Sequence, residues 1–322
     1  MRPAALAILC LLLTGAGSAR WFHASPPGLA APAIPSDNPL TAAKVELGRR
    51  LFYDADLSID GTLSCASCHN QKHAFADSIA TRPGATGEPG RRNAPGLANV
   101  AWFGRLTFAD PALAALEAQV AVPVFGTHPV ELGMAGQEAE IRARLGRDPC
   151  YRTMFRKAFP RDRGRIDFGN VARAIASFQR TLVSFDSPYD RQRLPPAAAE
   201  GERLFKRDCA ACHAGPLFTD MAYHRLEPLD PGAADKGLAE ATGQDGDAGM
   251  FRTPSLRNVM LTGPWWHDGS AKSAQDAVRR HGIDHPPEDA ARLMAFLASL
   301  SDLEFTRDPA LSLPGEACGK PL

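Results

Sequence analysis

The residues of this chain best placed to do chemistry are Cys65-Ala66-Ser67-Cys68-His69 and Cys209-Ala210-Ala211-Cys212-His213. In a Cys-x-x-Cys-His stretch the two thiols can add to the two vinyl groups of a haem, and the neighbouring imidazole then lies under the iron as its proximal ligand. One copy alone could also be a redox pair or half of a zinc site. A zinc site needs further ligands at short spacing, and neither copy has a second Cys-x-x-Cys nearby. Two copies in one chain read as two covalent c-type haems, attached through Cys65, Cys68, Cys209 and Cys212, with His69 and His213 on the irons.

The start of the chain sets the compartment in which such chemistry is expected. Arg2 precedes an apolar run, 4–13, too short to span a bilayer, and Gly15, Ala16, Gly17, Ser18 and Ala19 follow. A basic start, a short apolar core and a small-residue exit read as a secretory signal peptide, residues 1–19, cleaved near Ala19. Residues 20–36, rich in Pro and Ala, are expected to form a flexible leader. The mature protein is then periplasmic, without membrane contact. Cys10 leaves with the signal. Cys150 and Cys318 remain, and an oxidising compartment permits a disulfide, but the spacing leaves their pairing open.

The haem motifs sit inside a longer duplication. Gly48-Arg49-Arg50-Leu51-Phe52 precedes the first and Gly201-Glu202-Arg203-Leu204-Phe205 the second. Pro95-Gly96-Leu97-Ala98-Asn99-Val100 follows the first and Pro254-Ser255-Leu256-Arg257-Asn258-Val259 the second. This is the repeat of a whole haem-binding domain rather than of a short solenoid unit. The elements that must position the motifs are helical. Val45, Leu47, Leu51 and Phe52 space a helix over 42–53, and Val171, Ile175, Phe178, Leu182 and Phe185 an amphipathic one over 168–185. Pro286-Pro287 opens another that runs from Glu288 through Leu300. With 28 Gly and 27 Pro among 322 residues, long ordered loops are expected, chiefly at 81–90 and 226–249. No segment alternates strongly enough for a large sheet. The expected architecture is mainly α, with two cytochrome c-like haem domains, 37–192 and 193–322, meeting near 189–196. Lys+Arg and Asp+Glu both number 36, and without an excess of cation the chain is no candidate for nucleic acid.

The order of the remaining motifs resembles the bacterial di-haem cytochrome c peroxidase and MauG superfamily over nearly the whole mature chain. The matching residues are Phe75-Ala76-Asp77, Arg92-Asn93-Ala94-Pro95, Leu116-Glu117-Ala118-Gln119, Pro129-Val130-Glu131-Leu132-Gly133, Arg180-Thr181-Leu182-Val183-Ser184 and His267-Asp268-Gly269-Ser270. The stretch 123–131 is most similar to the MauG-like enzymes of methanobactin-type copper operons. The resemblance implies that the N-terminal haem is the site of hydrogen peroxide and that the C-terminal haem stores or relays electrons. It implies Glu131 as catalytic glutamate and Gln119 as pocket glutamine. It also implies one Ca²⁺ between the haems, held by the Asn93 side chain and the carbonyls of Arg252 and Pro254, oxygen donors of the kind this ion prefers. A carboxylate beside an open iron can carry a proton from the near to the far oxygen of peroxide as the O–O bond breaks.

Three departures from the family pattern sharpen the expectation. Many of its peroxidases close the resting first haem with a His in the loop before Arg-Asn-x-Pro, and 82–92 contains none. The first haem is therefore expected to stay open, with His73 structural and His128, three residues before Glu131, a pocket neighbour. Fourteen residues after His267, where peroxidases carry a Met ligand, stands His281. That would make the second haem bis-histidine and lower its potential, since axial Met raises it; Met260 and Met294 are the fallback ligands. Phe108 stands where the family places a Trp between the haems. Phe is hard to oxidise, which leaves Trp102, Trp265 and Trp266 as substitutes. The expected function is a periplasmic peroxide-using di-haem oxidoreductase. Its electrons would come from a small cytochrome or copper protein, or from a side chain of a protein substrate. The competing class, a di-haem electron carrier without catalysis, requires both irons to be six-coordinate.

Overall fold

The computed structural model describes residues 21–22, 25–26, 28–228 and 232–321; the expected signal peptide lies outside them. Among the described residues seven helices are seven or more residues long: α1 Ala42–Tyr53, α2 Glu138–Arg147, α3 Pro149–Ala158, α4 Phe168–Gln179, α5 Pro196–Asp208, α6 Ala274–Arg280 and α7 Pro287–Ser299. Sheet is confined to two antiparallel pairs of two-residue strands, β1 Tyr223–His224 with β2 Phe251–Arg252 and β3 Glu316–Ala317 with β4 Lys320–Pro321. The helix starts follow their sequence signals. The Thr41 hydroxyl accepts from Lys44 N at 3.3 Å and the Asp167 carboxylate from Asn170 N at 2.8 Å, while Pro196 and Pro287 occupy first helical positions, where a missing N–H costs nothing.

Each half is built on one helix crossing. In the first half α1 lies on α4; in the second α5 lies on α7. The glycine of each Gly-x-x-Leu-Phe motif is the crossing point. A Cβ on Gly48 would stand 1.8 Å from the Ala174 carbonyl oxygen, and one on Gly201 1.9 Å from that of Arg292. The backbones touch, and only hydrogen fits between them. The leucine and phenylalanine that follow Gly48 then face inward, Leu51 and Phe52 being fully buried.

The second repeated motif ends the same way in both halves. Asn99 and Asn258 are fully buried and left-handed, both at φ 61°. Asn99 N donates to Leu182 O at 2.7 Å and Asn258 N to Leu300 O at 3.0 Å. The side-chain oxygens accept from Ser184 N and Asp302 N, each at 2.8 Å. Each asparagine thus fixes the chain that leaves the last helix of its half. Asn258 also donates to the Ser184 hydroxyl at 2.9 Å, so one node serves both halves. Elsewhere the halves are joined by forked ion pairs, Arg92 with Asp235 at 2.7 Å and Arg257 with Asp190 at 2.9 and 3.0 Å.

Two terminal stretches depart from expectation. Residues 303–321, expected to complete the second half, return to the first. Phe305 and Leu311 belong to the first core, the Gln71 amide donates to the carbonyls of Phe305 and Asp308 at 3.2 and 2.9 Å, and a Cys150–Cys318 disulfide closes the contact. The leader, expected to be flexible, is tied at two points. Phe22 meets the Trp102 ring edge-on at 5.4 Å, and Trp102 Nε1 donates to Ala30 O at 2.8 Å. Apolar surface on the first core decides both cases, a tertiary reason that composition does not carry.

The crossings are testable with one added methyl group. Gly48→Ala and Gly201→Ala are each expected to cost about 3 kcal/mol or more, the upper end of overpacking, read as a lower midpoint in thermal or urea unfolding. Gly146, in α2 with nothing within 4 Å of a Cβ, is the control. Gly146→Ala is expected to be neutral or to stabilise by up to ~1 kcal/mol, the helix-propensity gain.

Candidate haem centres

The first Cys-x-x-Cys-His motif occupies a short helical turn, Cys65–Cys68, and the second a turn directly after α5. His69 N donates to Cys65 O and His213 N to Cys209 O, each at 2.9 Å, which sets the imidazole beside the two thiols. In the first copy the turn is closed by Ser64 N donating to the Ser67 hydroxyl at 3.0 Å. The four sulfurs are unpaired. Burial pushes the Cys65 thiol up to about 12, and those of Cys68 and Cys209 to about 11. Redox-active dithiols depend on a depressed thiol pKa, so this environment suits attachment to a buried apolar group and not disulfide exchange.

The two imidazoles are held alike. His69 Nδ1 lies 2.9 Å from Phe75 O and His213 Nδ1 3.1 Å from Phe218 O. A carbonyl can only accept, so Nδ1 carries the proton and Nε2 is left as the metal-binding nitrogen. Burial lowers both pKa values, that of His213 to about 4, keeping the rings in the neutral, ligating form. The carbonyls of Pro95 and Pro254, which open the second repeated motif, lie beside His69 and His213 respectively.

The two sites differ on the side opposite these imidazoles. The second opens on a cavity of about 400 Å³ lined largely by apolar groups, with Cys209, Cys212, His213 and His281 in its wall. The His281 ring centroid stands 6.4 Å from that of His213, close to the ~6 Å that two imidazoles require when each places a nitrogen about 2 Å from one metal ion. His281 follows α6, donates from Nδ1 to Ala277 O at 2.8 Å and meets Trp266 edge-on at 5.4 Å; it too keeps Nε2 free. The residues fit a bis-histidine haem. Met260 and Met294, the fallback ligands, pack against the second core.

Opposite His69 no second imidazole comes within ring contact among the described residues. Glu131 lies close enough to this motif for its carboxylate to act electrostatically on both Cys65 and Cys68. Its segment is fixed by main-chain bonds: Leu132 N to Pro123 O at 2.8 Å, Met134 N to Val124 O at 2.9 Å and Ala85 N to Glu131 O at 2.7 Å. Loop 81–90 comes this close because residue 84 is glycine; a Cβ there would lie 1.8 Å from Val130 O. Among the described residues nothing donates to the Glu131 carboxylate, and burial raises its pKa. Gln119 is half-buried at the end of the helical turn Leu116–Gln119, on the same folded segment, without a side-chain bond to Glu131. His128 is exposed. His73 turns away and meets Leu261 O through Nδ1 at 3.3 Å.

The residues expected around calcium are divided among other tasks. Asn93 is buried in the wall of the second cavity. Its Nδ2 donates to Ile79 O and Ala80 O at 2.9 and 3.1 Å, leaving Oδ1 as the oxygen it can offer. Of the candidate bridging residues, Phe108, Trp265 and Trp266 line the second cavity. Trp102 instead meets Phe185 edge-on at 5.3 Å and is not part of that wall.

A model of the family described as di-haem cytochrome c peroxidase matches residues 42–194, and one of cytochrome c matches 198–301. The methylamine utilization protein MauG of Methylorubrum extorquens is 37% identical over 257 residues, 77% of this chain and 71% of that protein. The chain belongs to the di-haem cytochrome c peroxidase and MauG family. The cytochrome c551 peroxidase of Pseudomonas aeruginosa is 34% identical over 281 residues, covering 82% of this chain and 80% of its own. The crystal structure of a MauG-like protein associated with microbial copper homeostasis matches with a TM-score of 0.86 and 36% identity, over 90% of this chain and 98% of that one. As a family member the chain is a haem oxidoreductase of two c-type haems. Among the described residues no helix is long and apolar enough to cross a membrane.

The difference between the sites predicts the resting spectrum. Ferric EPR is expected to show one high-spin and one low-spin haem. His281→Gly is expected to convert the low-spin signal to high-spin with both haems retained. Two low-spin signals in the unmutated protein would remove the open first site, and an unchanged spectrum in the variant would remove His281 as a ligand.

Proposed function

We propose that the protein is a periplasmic enzyme that consumes hydrogen peroxide at the His69 haem, with Glu131 moving the proton and the His213–His281 haem storing or relaying the electrons. The observation that supports this reading is the asymmetry of two otherwise duplicated motifs: among the described residues His213 has a second imidazole within 6.4 Å, whereas His69 has none in ring contact and the Glu131 carboxylate acts on its neighbouring cysteines. The bound haem supplies the iron at which the peroxide O–O bond is broken. A Glu131 carboxylate oxygen takes the proton from the near peroxide oxygen and returns it to the far one, which leaves as water. Burial helps twice. It excludes bulk water as a competing base, and it moves the carboxyl toward the working pH, where general acid–base catalysis is most efficient. Gln119, half-buried at the end of its helical turn, would orient peroxide.

The electrons are supplied by a small periplasmic cytochrome or copper protein, or by a side chain of a protein substrate. The likeness to a MauG-like protein of copper homeostasis supports the second source. A non-catalytic carrier would need a second ligand across from His69, and among the described residues no second imidazole is in ring contact with it. For calcium, Asn93 Oδ1 supports one ligand of a set on the order of six to eight oxygens; the carbonyls of Arg252 and Pro254, with water, would add to it.

Glu131→Gln keeps the shape and removes the base. Stopped-flow absorbance in the Soret region after peroxide addition is expected to slow about 10²–10⁴-fold, the usual contribution of general acid–base catalysis, with haem content unchanged. The pH profile follows from the raised pKa. Below it the carboxyl is neutral and cannot take the proton, so the rate falls as pH drops through that value and holds above it. The variant is expected to be flat over the same range. A variant as fast as the parent would transfer the role to another group, His128 first.

A further inference from the structure

Four arginines are buried, and three of them pair with a carboxylate: Arg50 with Asp148, Arg180 with Glu117 and Arg257 with Asp190. Arg252 does not. It is 2% exposed and stands in the wall of the cavity that holds His213 and His281. Its Nε donates to Thr107 O at 3.0 Å and its Nη1 to Thr253 O at 3.1 Å, and the guanidinium sits 5.6 Å from the Phe103 ring centroid. Nη2 has no partner among the described residues. The acids of the cavity wall, Asp208 and Glu227, form no ion pair with Arg252 among the described residues. Across the strand pair, Tyr223 opposes Arg252 and buries a hydroxyl that also lacks a hydrogen-bond partner.

A buried cation without a counter-charge is costly, and structures keep one only where an anion is supplied. Burial already lowers the Arg252 pKa to about 10. The anions that this cavity's own cofactor brings are the carboxylates of its porphyrin. A guanidinium suits a carboxylate in particular, through its planar fork of donors.

We propose that Arg252 is the counter-ion of a propionate of the His213 haem, tying that haem to the Thr107–Phe108 segment of the first half. The inference rests on the two-haem reading above. It makes Arg252 a positioning and tuning residue rather than a source of a calcium-binding carbonyl alone. A fixed cation beside the porphyrin stabilises the ferrous form, which carries one more negative charge than the ferric. It therefore raises the potential of a haem that two histidine ligands would otherwise hold low.

The test uses the holoprotein. Haem content of the unmutated protein checks the two-haem reading separately, and fewer than two haems would overturn both readings. Spectroelectrochemical titration then follows the low-spin haem. Arg252→Gln is expected to shift the ferrous-to-ferric ratio at a given potential about tenfold toward ferric, ~59 mV for a one-electron couple, and to move the propionate bending bands in the resonance Raman spectrum. Arg252→Lys, which keeps the charge but not the fork, is expected to hold the ratio within about threefold while still moving those bands. If Arg252→Gln fails to load haem, Arg252→Lys decides alone: unmoved bands overturn the proposal. A loaded Arg252→Gln protein with unchanged potential and bands overturns it, as does a shift confined to the high-spin haem.

Discussion

An imidazole that is to hold a metal through one nitrogen needs the proton on the other fixed, and both halves fix it with a main-chain carbonyl, Phe75 O for His69 and Phe218 O for His213. Those carbonyls belong to residues at φ 59° and 52°, a region in which a bulky side chain is strained by about 1–3 kcal/mol. The strain persists because each ring is buried against the phenylalanine of its Gly-x-x-Leu-Phe motif, Phe75 on Phe52 at 5.9 Å and Phe218 on Phe205 at 5.7 Å. Those phenylalanines reach the rings because their helices cross at a glycine. Crossing, aromatic pair, strained carbonyl and oriented imidazole thus form one chain of cause, repeated in each half.

Once the proximal side is fixed in duplicate, the halves are free to differ on the other side. Glu131, an electrostatic neighbour of Cys65 and Cys68, and His281, 6.4 Å from the His213 ring, are loop or helix-end residues, where function changes without disturbing a core. The first half is also the more heavily braced. Phe305, from the far end of the chain, lies 5.4 Å from Phe75, and the Gln71 amide holds the tail two residues after His69. The His69 loop is thus the one held by the far end of the sequence.

What was legible in the sequence was local. The haem motifs, the helix over 42–53 and the repeated Gly-x-x-Leu-Phe and Pro-x-Leu-x-Asn-Val segments are readable because spacing alone determines them, whereas the helix expected over 168–185 ends at Gln179 and its apolar spacing runs on into the turn that follows. Glu131 and His281 draw attention only through an ordered set of motifs; His281 by itself is an exposed residue at a helix end. Long-range placement is not legible. Cys150 and Cys318 are 168 residues apart in sequence, with Cα atoms 5.8 Å apart in space, and nothing around either cysteine announces the other. Trp102 has the residue type for a bridge yet packs edge-on against Phe22 and Phe185. Arg252 draws attention in the sequence for its carbonyl, while its guanidinium is the unusual group, because only the fold reveals that no acid lies beside it.

The same cavity shows why the halves act as one unit. Its wall is drawn from both, with Asn93, Pro95 and Phe108 of the first facing His213 and His281 of the second. The Pro95 carbonyl lies beside His69 while Pro95 itself lines the second cavity, so at this point a single residue separates the two centres. Arg252 crosses the same seam in the other direction, with its backbone N–H on Phe108 O at 2.8 Å and its Nε on Thr107 O. A shift of one centre's wall is therefore a shift of the other's. The two cytochrome-like folds therefore share one wall, and Phe108, at the position where a bridging Trp is expected, is part of it.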